Sequence, residues 1–219
     1  MSCRLFRPLS PKSWRACLAV LGAILLAGCA ASPPAPQGRA VPARDTLDAF
    51  AIEGRFTLRQ QQTSYSGRLS WRHAGDAAAG GEGDEILLAS PFGQGIAQIS
   101  ASTAGAQLVT SDGKVYAAGD SEQLTRDVLG YPLPLAQLAD WLRGRGPGDF
   151  TRDAAGRPLR LLSADWRIDY EYDSDDAQAL PVRLFAQRAD GVELRLRIDE
   201  WSAWTLAPER PAVLPASQP

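Results

Sequence analysis

The chain has 219 residues, 45% of them hydrophobic and 22% charged, with a formal charge of −2 at neutral pH. One histidine, three cysteines and no basic tract argue against a multi-histidine metal centre, a disulfide framework and a nucleic-acid partner.

The first element in the chain is a leader. Arg4, Arg7, Lys12 and Arg15 precede an apolar run over residues 16–27, which closes on Leu26-Ala27-Gly28-Cys29. A charged start, an apolar middle and a small-residue end make a secretory signal. About 12 apolar residues are too few to span a bilayer core that needs roughly 20. Leu-Ala-Gly-Cys resembles the lipobox of bacterial lipoproteins, in which cleavage falls before the cysteine and the cysteine takes up acyl chains. On that resemblance residues 1–28 are a removed signal peptide and Cys29 is the lipidation site. Two or more acyl chains anchor stably where one does not. Ala30 follows the cysteine in place of the Asp that retains lipoproteins in the inner membrane, which by the same resemblance implies the outer membrane. Four of the 23 Lys+Arg leave with the signal and no acid does, so 19 bases face 25 acids and the formal charge becomes −6. Mild acidity of this kind speaks to solubility alone.

Residues 30–44, with prolines at 33, 34, 36 and 42, read with Cys29 as a tether. In polyproline conformation, at about 3.1 Å per residue, it reaches roughly 45 Å. At the other end residues 207–219 carry four prolines and read as a disordered tail. Between them residues 45–206 have the length of one domain.

That body alternates with period two. Ile52, Phe56 and Leu58 share one parity against Glu53, Arg55, Thr57 and Arg59, and Tyr65, Gly67, Leu69 and Trp71 oppose Ser64, Ser66, Arg68 and Arg72. Trp166, Ile168, Tyr170 and Tyr172 oppose Arg167, Asp169 and Glu171, and Leu194, Leu196 and Ile198 oppose Glu193, Arg195, Arg197 and Asp199. Successive side chains alternate across a strand, so each segment has one oily and one wet face, the pattern of an antiparallel sheet covered on one side. Residues 60–63, 73–84, 91–95, 103–105, 111–113 and 189–191 supply turns or loops.

Helices interrupt the strands. Asp120 with Gln123 makes a capping box, Leu124, Val128 and Leu129 fit one face, and Gly130 stops the helix. Pro134 opens a second helix that carries Leu135, Leu138, Trp141 and Leu142 on one side and ends at Gly144. A short helix around residues 43–49 is a further candidate. The class is mainly β, a long curled antiparallel sheet with a few short helices.

No catalytic constellation stands out. His73 is alone beside a Gly/Ala-rich loop, and Asp173, Asp175 and Asp176 lack the glycine and terminal glutamate of an EF-hand loop, so they read as a solvated turn. The chain reads as a non-enzyme without metal or cofactor, its only prosthetic chemistry being the lipid on Cys29.

Ile52-Glu53-Gly54-Arg55-Phe56, Tyr65-Ser66-Gly67-Arg68-Leu69-Ser70-Trp71 and Ser90-Pro91-Phe92-Gly93 resemble, in that order, the LolB family of outer-membrane lipoprotein receptors. So do Gly130-Tyr131-Pro132-Leu133-Pro134-Leu135, Trp141-Leu142-Arg143-Gly144, Leu180-Pro181 and Ile198-Asp199-Glu200-Trp201. The likeness runs from about Phe50 to Trp201. It implies an unclosed antiparallel β-barrel holding a hydrophobic cavity under a helical lid. It also implies a monomer at the periplasmic face of the outer membrane that accepts acylated lipoproteins from a soluble periplasmic carrier and inserts them there.

Candidate lining residues on this resemblance are Ile52, Phe56, Tyr65, Leu69 and Trp71 from the early strands, Leu138, Trp141 and Leu142 from the second helix, and Trp166 and Tyr170. Alternation alone does not separate a filled core from a hollow one. Pro91, Phe92 and Gly93 form a turn tip, where Pro presets φ and Gly relaxes the next position. The family carries an outward apolar residue in the matching loop, commonly leucine, associated with membrane insertion of cargo; here it is Phe92. The alternative is an assembly lipoprotein whose apolar surface docks another envelope protein.

Overall fold

The computed structural model describes residues 43–75 and 83–203. The signal, Cys29, nearly all of the tether, most of the Gly/Ala-rich loop and the proline-rich tail lie outside the described residues.

Among the described residues, eleven strands form one antiparallel sheet. The first meander comprises β1 (Phe50–Gln60), β2 (Thr63–Ala74), β3 (Gly83–Ala89), β4 (Gly95–Ser102), β5 (Gly105–Thr110) and β6 (Val115–Ala118). Helices α1 (Ser121–Leu129) and α2 (Leu135–Leu142) follow. The second meander comprises β7 (Asp149–Arg152), β8 (Pro158–Ser163), β9 (Trp166–Glu171), β10 (Arg183–Arg188) and β11 (Val192–Ala203). The spatial order is β6-β5-β4-β3-β2-β1-β11-β10-β9-β8-β7, so the meanders join where β11 pairs with β1, and the outer strands β6 and β7 do not pair with each other. The barrel is therefore unclosed.

The alternating positions behave as strands demand. Ile52, Leu58, Leu69, Trp71, Ile168, Leu194, Leu196 and Ile198 are buried while Arg55, Arg68, Arg167, Arg195 and Arg197 face solvent. Gly67 belongs to the inward set because a Cβ there would run into the carbonyl oxygen of Ala89 on β3 and press on the Phe56 ring.

Both helices bury their apolar stripe against the concave face. The Asp120 carboxylate accepts the Gln123 N–H at 2.7 Å and caps α1, and Gly130, at φ +85°, ends it. The capping box is only half made, because the Gln123 side chain turns to Asp127 at 2.8 Å. Pro134 stands just outside α2, with its carbonyl accepting the Leu138 N–H. The expected helix at residues 43–49 is shorter than read, a single 3-10 turn at Arg44–Thr46.

Candidate functional site

Between the first meander and the helices lies a cavity of about 550 Å³. Its walls are the inward residues of five neighbouring strands and β11: Phe56 and Leu58, Leu69 and Trp71, Ile86 and Leu88, Ala97 and Ile99, Leu108, and Leu194 and Leu196, with the exposed Ile96 at the margin. Its roof is Val128 and Leu129 from α1, Leu133 from the link, and Leu135 and Leu138 from α2. Ser64, Tyr65, Ser66 and Thr110 also border it. The volume falls within the roughly 300–1,000 Å³ of ordinary ligand pockets.

The one polar side chain in the roof is already occupied. The Thr125 hydroxyl donates to the Ser121 carbonyl at 2.9 Å and accepts the Leu133 N–H at 2.8 Å, clamping the link to α1. Such a wall offers water few partners and suits an alkyl guest.

The second meander is filled instead. Leu142, Leu161, Ile168, Leu184 and Ala186 are fully buried, and Trp141 packs on Trp166 with ring centroids 5.6 Å apart. Of the residues read as candidate lining, Phe56, Tyr65, Leu69, Trp71 and Leu138 border the cavity. Ile52, Trp141, Leu142, Trp166 and Tyr170 are placed elsewhere, in solid core. Alternation put Ile52, Trp166 and Tyr170 on the buried face of their strands, and helical spacing did the same for Trp141 and Leu142; neither carried information on which half of the barrel the second helix would fill. Burial pushes the Tyr170 phenol far above its ordinary range. Leu88, Ile99, Leu108, Leu133 and Leu135 were not among the candidate lining residues, nor were Leu194, Leu196, Val128 and Leu129, although the periodic signal for these last four was present.

Beside Trp71 of the cavity wall lies a buried polar group. The Trp71 indole N–H donates to Asp84 at 2.7 Å, and His73 Nδ1 lies 2.8 Å from the same oxygen. Phe50 covers both rings, 5.9 Å from Trp71 and 5.1 Å from His73. Arg143, at the end of α2, donates to the Leu47 and Asp48 carbonyls at 3.2 and 3.0 Å and ties the lid to the segment before β1. Burial lowers its guanidinium below the usual value. A second tie is Arg188, which donates to the Pro132 carbonyl in the link at 2.8 Å and lies over the Trp166 ring.

Pro91, Phe92 and Gly93 sit in the β3–β4 turn. Gly93 takes φ +88° and donates to the Ser90 carbonyl at 2.9 Å. Phe92 is 93% exposed, against the ordinary tendency of an aromatic ring to fold back onto the body.

The family described as "Outer membrane lipoprotein LolB" matches residues 48–201 of the chain. Outer-membrane lipoprotein LolB of Dechloromonas aromatica is 40% identical over 184 residues, covering 81% of this chain and 92% of the relative. That of Thiobacillus denitrificans is 40% identical over 195 residues, covering 85% and 97%. Among solved structures, a LolA superfamily protein from Nitrosomonas europaea aligns at 11% identity and TM-score 0.46, covering 74% of this chain and 89% of the other. A putative outer membrane lipoprotein-sorting protein domain from Vibrio parahaemolyticus aligns at 11% identity and TM-score 0.49, covering 76% and 91%.

Proposed function

The chain belongs to the outer membrane lipoprotein LolB family, and from that premise we propose how its cavity and its exposed turn divide the work of an outer-membrane lipoprotein receptor. The cavity receives the acyl chains of a lipoprotein handed over by a soluble periplasmic carrier. An acyl chain of about fifteen methylenes, at about 0.8 kcal/mol each, costs roughly 12 kcal/mol in water, so cargo must pass from shelter to shelter. The single observation that carries this reading is the apolar 550 Å³ space roofed by α1 and α2.

The Phe92 turn contacts the bilayer during delivery, and acyl chains on Cys29 hold the receptor at the periplasmic face of the outer membrane. Nothing in this scheme requires bond chemistry on the cargo. Transfer runs downhill, from looser to tighter apolar shelter and then to bilayer. The test is transfer of an acylated lipoprotein from its carrier to this chain, followed by titration with a fluorescent fatty acid. Saturable one-site uptake and cargo transfer are expected; a chain that binds no alkyl guest is a docking module instead.

A further inference from the structure

The outer face of the sheet carries a charged array that the cavity does not use. Arg55 on β1 stands opposite Arg68 on β2 and opposite Arg197 on β11, and Arg197 stands opposite Arg183 on β10. Four exposed arginines thus lie side by side on four neighbouring strands, over about 14 Å at the usual strand spacing. Like charges directly opposed across a ladder are destabilising. Elsewhere on this face the register favours opposite signs: Arg59 with Glu193, Arg72 with Glu85 and Arg160 with Asp169.

The acids around the row do not quench it. Asp199 is shared by Arg55 and Arg197 at 3.2 Å each, Glu171 meets Arg183 at 2.6 Å, and Arg68 has no acidic partner among the described residues. Glu53 and Glu200 face each other on the Phe50 side of the row. On the opposite side the row opens into a groove of about 490 Å³. There Arg55, Arg183, Arg195 and Arg197 outnumber Asp169 and Glu171, and Arg195 lies 4.7 Å over the Phe185 ring. The exposed ion pairs are weak and exchangeable.

The row also has a position. Arg68 pairs with Ala89, the last residue of β3, so the array begins beside the turn that presents Phe92. Guanidiniums grip phosphate oxygens in a bidentate fork. An apolar projection next to basic side chains is an arrangement that seats a protein on an anionic lipid surface. We propose that the Arg68–Arg55–Arg197–Arg183 row binds the phosphate headgroups of anionic phospholipid, a second membrane contact that orients the barrel beside the Phe92 turn. This rests on the membrane-delivery reading above, which supplies the bilayer.

The test uses the chain from Ala30 onward, without the candidate acylation site, and cosedimentation with vesicles of phosphatidylcholine alone or mixed with phosphatidylglycerol. Phosphatidylglycerol is expected to raise binding. Arg55→Thr with Arg197→Thr should lower that gain about thirtyfold, and Arg68→Gln, which has no ion pair to lose, about fivefold. The double variant should melt no lower than the parent, since opposed like charges are removed, and should still take up fatty acid. Equal binding to both vesicle types, or arginine variants that bind as the parent does, overturns the proposal. So does inorganic phosphate displacing the chain beyond chloride of equal ionic strength, which marks a site for the free anion. Failure of fatty-acid uptake in the parent instead overturns the cavity reading, so the two failures are distinguishable.

Discussion

The indole N–H of Trp71 donates to the Asp84 carboxylate across neighbouring strands at 2.7 Å, joining a residue of the cavity wall to a buried acid behind it. The same carboxylate oxygen lies 2.8 Å from His73 Nδ1, so one acid holds two rings. Asp84→Ala strands two buried polar groups, each costing about 1–3 kcal/mol when unpaired. We expect a loss of about 3 kcal/mol in denaturant unfolding, with a shift in tryptophan emission. Asp84→Asn, which keeps one acceptor, should lose less. An alanine variant as stable as the parent would show that packing against Phe50 alone fixes the indole.

The hollow and the solid halves of the barrel make opposite predictions for added bulk. Leu108 borders the cavity, so Leu108→Trp should place its ring in open space, leave stability within about 1 kcal/mol and weaken fatty-acid binding at least tenfold. Ala186 is fully buried in the filled half, so Ala186→Leu should overpack, cost about 1–3 kcal/mol and leave alkyl affinity unchanged. Paired unfolding and binding titrations check both. Uptake unimpaired by Leu108→Trp would place the guest elsewhere.

Much of this fold was legible because period-two alternation is a local property. Ile52 to Arg59 and Leu194 to Asp199 showed which side chains face inward without any knowledge of their neighbours. The edge hairpin β7–β8 was obscured: Gly146 and Gly148 precede it, and its turn at Asp153 to Arg157 is followed at once by Pro158. Its closure relies on the Asp153 carboxylate accepting the Arg157 N–H at 2.9 Å, a contact that composition does not announce. What alternation cannot contain is register and filling. That Trp141 would meet Trp166 while Leu138 would border a void depends on where α2 settles across the sheet. That Arg55 would stand between Arg68 and Arg197 depends on three strands being paired in one register.

On the proposed scheme, substitution of Phe92 should separate uptake from delivery. Its ring lies at the turn tip, away from the cavity lining, and transfer of a phenylalanine side chain from water to an apolar phase is worth about 1.5–3 kcal/mol. Phe92→Glu should leave fatty-acid binding and cargo acceptance intact and reduce delivery to liposomes about tenfold or more. Phe92→Leu should retain delivery, because oiliness rather than ring shape is required. Delivery by the glutamate variant at the parental rate would remove the turn from the mechanism.

Acid should loosen the lid through Asp190. Its carboxylate is gripped by Arg188 through two contacts of 2.8 Å, and these hydrogen bonds hold it below the usual carboxylate range. A depressed folded-state value means that the pair contributes above the unfolded carboxyl value of about 3.9 and that its contribution is lost as pH falls through the folded value. Arg188 is also the residue that donates to the Pro132 carbonyl between the two lid helices. Hydrogen exchange over residues 130–133 should therefore be protected and flat from neutrality down to about pH 5, after correction for the intrinsic rate, and should lose protection below about pH 4. Asp190→Asn should show part of that loss already at neutral pH, because the guanidinium then has no charged partner to hold it toward the link. Protection that stays constant through the acid range would mean that stacking on Trp166, at 5.2 Å, holds Arg188 in place without the carboxylate.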